Sequence, residues 1–241
     1  MVACVAIALT APLIADGTED GAANVVVRGR AVYREQCVSC HGVQGDGRGE
    51  AAVYLSPPPQ NFTTGVYKFR STMSGQLPTD DDLFRTITIG IVGTSMDRYA
   101  ALPERDRRAL VAYLKSLSPR FVQEETGAPI PFPPPRPLTP ESAARGRALY
   151  ERMQCAVCHG DGARGDGPLA ADLNDTDGLP IRPADLARWK LKGGPAPESV
   201  YRSVMTGLDG TPMPSYGDSL TPDEAWDLAL YIFSLSAREG P

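Results

Sequence analysis

Cys37-Val38-Ser39-Cys40-His41 recurs as Cys155-Ala156-Val157-Cys158-His159. Cys-x-x-Cys-His is the attachment signature of c-type haem. The spacing follows from the chemistry: two thiols add across the vinyl groups of one porphyrin, and the adjacent imidazole reaches the iron as proximal ligand. Two other readings compete. A zinc site needs four gathered ligands, and a thioredoxin-type redox pair needs a βαβ pattern around it. Neither pattern surrounds these tracts. The sequence therefore predicts two covalently attached haem c groups, on Cys37 and Cys40 and on Cys155 and Cys158, with His41 and His159 as iron ligands.

The chain has 2 His, both inside these tracts, so none remains for the other face of either iron. Methionine is the usual alternative and raises the reduction potential. There are 6 Met, and an internal repeat separates them. Arg28-Gly29-Arg30-Ala31-Val32-Tyr33 precedes the first tract as Arg145-Gly146-Arg147-Ala148-Leu149-Tyr150 precedes the second. Glycine-rich Gly45-Asp46-Gly47 and Gly165-Asp166-Gly167 follow, then Tyr67-Lys68-Phe69 and Trp189-Lys190-Leu191. The stretch from Ile89 to Met96 parallels that from Met205 to Met213, and each half closes on an apolar helical pattern at Leu110–Leu114 or Leu228–Ile232. Only Met96 and Met213 hold equivalent places, each after Gly-Thr-x in a loop able to bring a thioether to a metal. They are the predicted sixth ligands, loop packing being the other reading. Met73 has no counterpart, Met153 lies just before a haem tract, and Met205 sits in a helical pattern that suits a core role.

These residues resemble class I cytochromes c. That family spaces a glycine, an aromatic four residues on and the first haem cysteine four later. Gly29, Tyr33 and Cys37 match; Gly146 and Tyr150 match, but Cys155 comes one residue late. The family packs its last helix across its first through a Leu-x-x-Tyr pair, which Leu110 with Tyr113 and Leu228 with Tyr231 supply. A glycine allows the tight crossing while the ring fills the gap. The resemblance covers nearly all of the chain beyond its first two dozen residues. It implies an all-α fold of two tandem class I cytochrome c domains, electron transfer, and covalent haem attached outside the cytoplasm. It also implies a loop proline whose carbonyl accepts the proximal His N–H: Pro59 and Pro183, with Pro57 or Pro58 as alternatives in the first half. Tyr67, Lys68 and Arg70, and correspondingly Trp189, Lys190 and Lys192, are candidates to bind haem propionates.

The expected organisation is an N-terminal extension over 1–23, a first domain over 24–120, a linker over 121–138 and a second domain over 139–241. Prolines 129, 131, 133, 134, 135 and 137 crowd the linker, favouring polyproline II and a semi-rigid spacer along the surface. Helix patterns start near Val25 and at Thr79, Pro103, Thr139-Pro140, Pro197 and Thr221-Pro222, with acidic residues in several first turns. Thr86-Ile87-Thr88-Ile89 is β-like but short and reads as a helix end.

Val2 to Ile14 is almost wholly apolar and too short to span a bilayer. It reads as an export-signal core with cleavage near Ala15, as a retained anchor, or as the start of a lipidated chain at Cys4, the one cysteine outside the haem tracts. Each reading places the haem domains in the periplasm or another exported compartment. Residues 24–118 carry 12 basic and 9 acidic side chains, residues 138–241 carry 10 and 15. That asymmetry suits separate redox donor and acceptor proteins, as a free shuttle or within a membrane respiratory complex. The overall acidity and lack of a recognised motif disfavour nucleic acid. A haem peroxidase would need an open iron and a distal acid–base group, and a thiosulfate-oxidising cytochrome an unusual ligand such as Cys. No histidine is free and Cys4 is far in sequence from either tract, so an electron carrier is expected rather than an enzyme.

Overall fold

The computed structural model describes residues 18–188, 191–194 and 196–237. The apolar N-terminus with Cys4, and Trp189 and Lys190, lie outside the described residues. Helices α1 (Thr18–Gln36), α2 (Val38–His41), α3 (Asp80–Ile89), α4 (Glu104–Ser116) and α5 (Arg120–Gln123) make up the first half. Helices α6 (Pro140–Arg152), α7 (Ala156–His159), α8 (Pro197–Thr206) and α9 (Pro222–Ala237) make up the second. Among the described residues there is no strand, only an isolated bridge between Asn174 and Pro180. None of these helices is long and apolar enough to cross a membrane.

Local chemistry sets the helix starts. Thr79 Oγ1 accepts from the Asp82 amide while the Asp82 carboxylate accepts from the Thr79 amide, closing a capping box on α3. Thr139 with Ser142 does the same for α6, and Thr221 with Glu224 for α9. The β-branched run Thr86–Ile89 lies inside α3, because the cap and the apolar face of Leu83 and Ile87 outweigh strand propensity. The described part of helix α1 extends from Thr18, upstream of the apolar pattern near Val25.

Each half is built on one crossing of two helices. A methyl on Gly29 would overlap the Ala109 carbonyl, and one on Gly146 the Asp227 carbonyl, so α1 meets α4 and α6 meets α9 backbone to backbone. The flanking rings fill the crossings, Tyr33 against Tyr113 at 5.1 Å and Tyr150 against Tyr231 at 5.8 Å between centroids. The arginine before each glycine pairs across the joint, Arg28 with Asp106 and Arg145 with both oxygens of Asp227 at 2.6 and 2.9 Å. One core gathers Tyr33, Phe62, Ile87, Leu110 and Leu114; the other gathers Tyr150, Tyr201, Trp226, Leu228 and Ile232.

The late Cys155 is absorbed at one residue. Gln154 takes φ 57°, and the Cys155 amide bonds Tyr150 O at 3.0 Å, five residues back. In the first half the Cys37 amide bonds Tyr33 O at 2.9 Å, four residues back. The extra residue is thus a widened helical turn, and the tyrosine keeps its place.

The proline-rich segment docks on the second half. Ile130 is buried in that core, Phe132 packs edge-on against Tyr201 at 4.8 Å, and Tyr201 Oη donates to Pro131 O at 3.2 Å. The Ile130 amide donates to Ser71 O of the first half at 2.7 Å, and Met73 packs against the second core. Gly146→Ala should lower stability by about 2–3 kcal/mol, because backbone carbonyls cannot yield to the new methyl. Gly21→Ala, in a helix with nothing within 4 Å, should leave stability unchanged or raise it by up to about 1 kcal/mol. Denaturant unfolding of both variants checks the contrast.

Candidate haem-binding sites

Both Cys-x-x-Cys-His tracts form a single helical turn, with the His amide bonded to the first Cys carbonyl at 2.9 Å in each. The chain then reverses through a left-handed glycine, Gly42 (φ 78°) or Gly160 (φ 79°). The tyrosine of the helix crossing holds that glycine: Tyr33 Oη donates to Gly42 O at 2.8 Å and Tyr150 Oη to Gly160 O at 2.7 Å. The next loop folds back on the histidine, whose carbonyl accepts from Gly47 or Gly165 at 2.9 and 2.8 Å. The glycine runs are therefore offset from the pairing their sequence suggests. Gly47 corresponds to Gly165 and Gly49 to Gly167, while Gly45 corresponds to Ala163, which carries φ 57° without being glycine.

The same loop fixes each imidazole. His41 Nδ1 lies 3.0 Å from Gln60 O, and His159 Nδ1 lies 3.0 Å from Ala184 O. This corrects the expectation for Pro59 and Pro183: the acceptor is the residue after each proline. The proline carbonyls instead lie against Gly47 and Gly165, where a side chain would collide. A carbonyl can only accept, so each Nδ1 carries the proton and each Nε2 keeps its lone pair for a metal. Burial lowers both imidazole pKa values, favouring that neutral form. Phe62 stacks on the His41 ring at 4.5 Å.

His41 and Met96 line one apolar cavity, with Tyr33, Cys37, Phe62, Ile87, Tyr99, Leu110 and Leu114 completing its wall. The two methionine loops are built alike. Ile91 N bonds Met96 O at 2.9 Å, and Leu208 N bonds Met213 O at 3.1 Å. Thr94 Oγ1 donates to Ile91 O and accepts from the Met96 amide; Thr211 does the same for Leu208 and Met213. This explains the repeated Gly-Thr-x-Met: the glycine takes positive φ and the hydroxyl closes the turn. Tyr99 and Tyr216, three residues after each methionine, also belong to the sites. Burial, then the neighbouring thiols of Cys37 and Cys40, or of Cys155 and Cys158, raises each phenol. Their equal spacing in the repeat was the available signal.

Tyr67 is buried, and its hydroxyl has no partner. Lys68 lies in a narrow crevice between the halves with Arg70, Arg85 and Arg202. Arg85 and Arg202 occupy equivalent places on α3 and α8, and the buried Nε of each is unpartnered. Burial first, and then Arg202, lowers Arg85 to about 10. Partial burial, then the like charge of Lys68, lowers the Lys192 ammonium. An orphaned phenol and facing guanidiniums suit the carboxylates of a bound haem, and the apolar lining shared by His41 and Met96 suits the chemistry of its ring. Arg85 and Arg202 were legible only as an arginine repeated in both copies. Arg70 departs from its expected role: its guanidinium is engaged by Tyr67 O, Met73 O, Thr206 O and Asp209, joining the two halves.

The competing readings of the cysteines fit poorly. Among the described residues no three His, Cys, Asp or Glu side chains gather as a metal cluster. Burial, then the partner cysteine, raises Cys37 to about 11; burial leads likewise for Cys155, also to about 11. A redox pair needs the opposite shift.

Comparison with known proteins agrees with this geometry. Residues 26–118 match the family described as cytochrome c, and residues 141–232 match cytochrome c oxidase, cbb3-type, subunit III. A chain of the Kuenenia stuttgartiensis reducing HAO-like protein complex Kustc0457/Kustc0458 is 42% identical, with a TM-score of 0.83 covering 86% of this chain and 95% of that one. The cbb3-type cytochrome c oxidase subunit CcoP of Azospirillum brasilense is 25% identical over 95% of this chain and 68% of its own length. The FixP subunit of Sinorhizobium medicae is 32% identical over 42% of this chain, and the match spans 32% of that protein.

Tyr150→Phe should remove the donor from the Gly160 carbonyl and cost about 1–2 kcal/mol. Denaturant unfolding compared with the unaltered chain measures it.

Proposed function

Because the chain belongs to the dihaem class I cytochromes c, carrying two covalently attached c-type haems, we propose that it passes single electrons through two His/Met-ligated haems as the cytochrome subunit of an exported respiratory oxidoreductase. The observation that carries the ligation is the shared cavity of His41 and Met96, together with the identical construction of the Met96 and Met213 loops. Each haem supplies a one-electron iron couple. The chain's residues do the rest. The Gln60 and Ala184 carbonyls hold the imidazoles in the ligating tautomer. Phe62, Ile87, Leu110 and Leu114 exclude water from the first site. Tyr67, Lys68, Arg85 and Arg202 offer hydrogen bonds and charge to propionates.

The domain limits that suit this reading are 24–120 and 139–241, with 121–138 between them. Membership of a complex is supported by the relatives' names, an oxidase subunit and an assembly partner. Neither a second histidine nor a carboxylate joins His41 on the cavity wall, which favours a carrier over a peroxidase.

Both ferric haems should be low-spin with a thioether-to-iron charge-transfer band, and Met96→Ala and Met213→Ala should each remove about half of it. A high-spin iron in the unaltered protein would overturn the closed-site reading. Arg85→Gln and Arg202→Gln should lower reduction potentials, since a cation beside the propionates favours the reduced, more negative haem. Spectroelectrochemical titration reads the sign.

A further inference from the structure

The side chain of Arg70 is fully buried, yet it belongs to the first half and its strongest bonds reach the second. Nε and Nη1 donate to Met73 O and Tyr67 O, 3.2 and 3.3 Å away in its own loop. Nη2 donates to Thr206 O at 2.8 Å and to Asp209 Oδ1 at 2.7 Å. Thr206 is the last residue of α8, where exposed carbonyls favour a cation. Asp209 lies inside the turn that Leu208 and Met213 close. Two further donors of the first half reach the same carboxylate: Ser74 Oγ at 2.9 Å and the Gly75 amide at 2.9 Å.

The clamp is one-sided. In the first half the residues equivalent to Thr206 and Asp209 are Ile89 and Val92. Valine offers no acceptor, and the position equivalent to Arg70 is Lys192. The first half grips the methionine loop of the second, and among the described residues no hydrogen bond from the second half reaches the methionine loop of the first.

We infer that Arg70 and Asp209 are positioning residues for Met213, so that docking of the two halves sets how firmly the second iron, and only the second, keeps its methionine. The inference rests on the reading of Met213 as an iron ligand. A thioether is a weak ligand held by its loop, and a loop braced by a buried charge-assisted pair opens rarely.

Imidazole displacement of methionine from the ferric protein tests this, because its rate follows loop opening. The full-length holoprotein should show two phases, one per haem. Asp209→Asn keeps the side-chain volume and removes the charge; Arg70→Met with Asp209→Val removes both charges together and leaves neither buried alone. In both variants one phase should quicken about tenfold. That phase should be the one missing in Met213→Ala, and the other should be unchanged. The first haem thus reports in the same molecule that the fold is intact. Equal acceleration of both phases would make the pair merely structural and overturn the inference, as would two unchanged phases. If Met213→Ala keeps the whole thioether band, the ligand reading itself fails, a result distinct from a failed clamp.

Discussion

The close crossing of two helices at a glycine is the constraint from which each half is built. With Gly29 against the Ala109 carbonyl, Tyr33 has one place to go, and its hydroxyl reaches Gly42. That bond sets where the chain turns after the histidine, and the turn sets which carbonyl meets the imidazole. Gly146, Tyr150, Gly160 and Ala184 repeat the sequence of dependencies. A backbone contact some distance from the iron side of the histidine thereby selects the protonated ring nitrogen. The extra residue before Cys155 shows which part is fixed: Gln154 takes a strained backbone angle, while the tyrosine hydroxyl stays on its carbonyl.

Much of this was legible because the sequence is written twice. The attachment cysteines, the histidines, the crossing glycines and the two methionine loops stand out by recurrence, and each recurrence reflects a backbone geometry formed twice. The failures are equally physical. Alignment of Gly45-Asp46-Gly47 with Gly165-Asp166-Gly167 follows letters, whereas the loops superpose on hydrogen bonds that put Ala163 where the other copy has glycine. Pro59 and Pro183 are conspicuous in the sequence, but the working carbonyl belongs to the next residue, whose identity hardly matters because only its backbone is used. Arg70 looked like a haem neighbour because its near companions are basic and aromatic. Its real partner, Asp209, lies 139 residues away, and no local pattern announces such a contact.

The joint between the halves is strongly cationic for a protein that is acidic overall. Arg85 and Arg202 come together because they hold the same place in two copies facing each other, and like charge follows from that symmetry. Where the copies have diverged, at Asp209 against Val92, the joint gains an acid that pairs directly with Arg70, and Asp82 adds attraction for Arg85 and Arg202. Duplication brought the repulsion, and divergence supplied part of the compensation.

Met73 has no counterpart in the second copy, and its side chain packs against the second core; Ile130, from the linker, is buried in that core and bonded to Ser71. The first half and the linker therefore complete the second core at points that have no counterpart in the repeat. The two copies have stopped being interchangeable modules. A recombination that joined this second half to a foreign first half would inherit a hole shaped for one methionine, so the pair is expected to be inherited together.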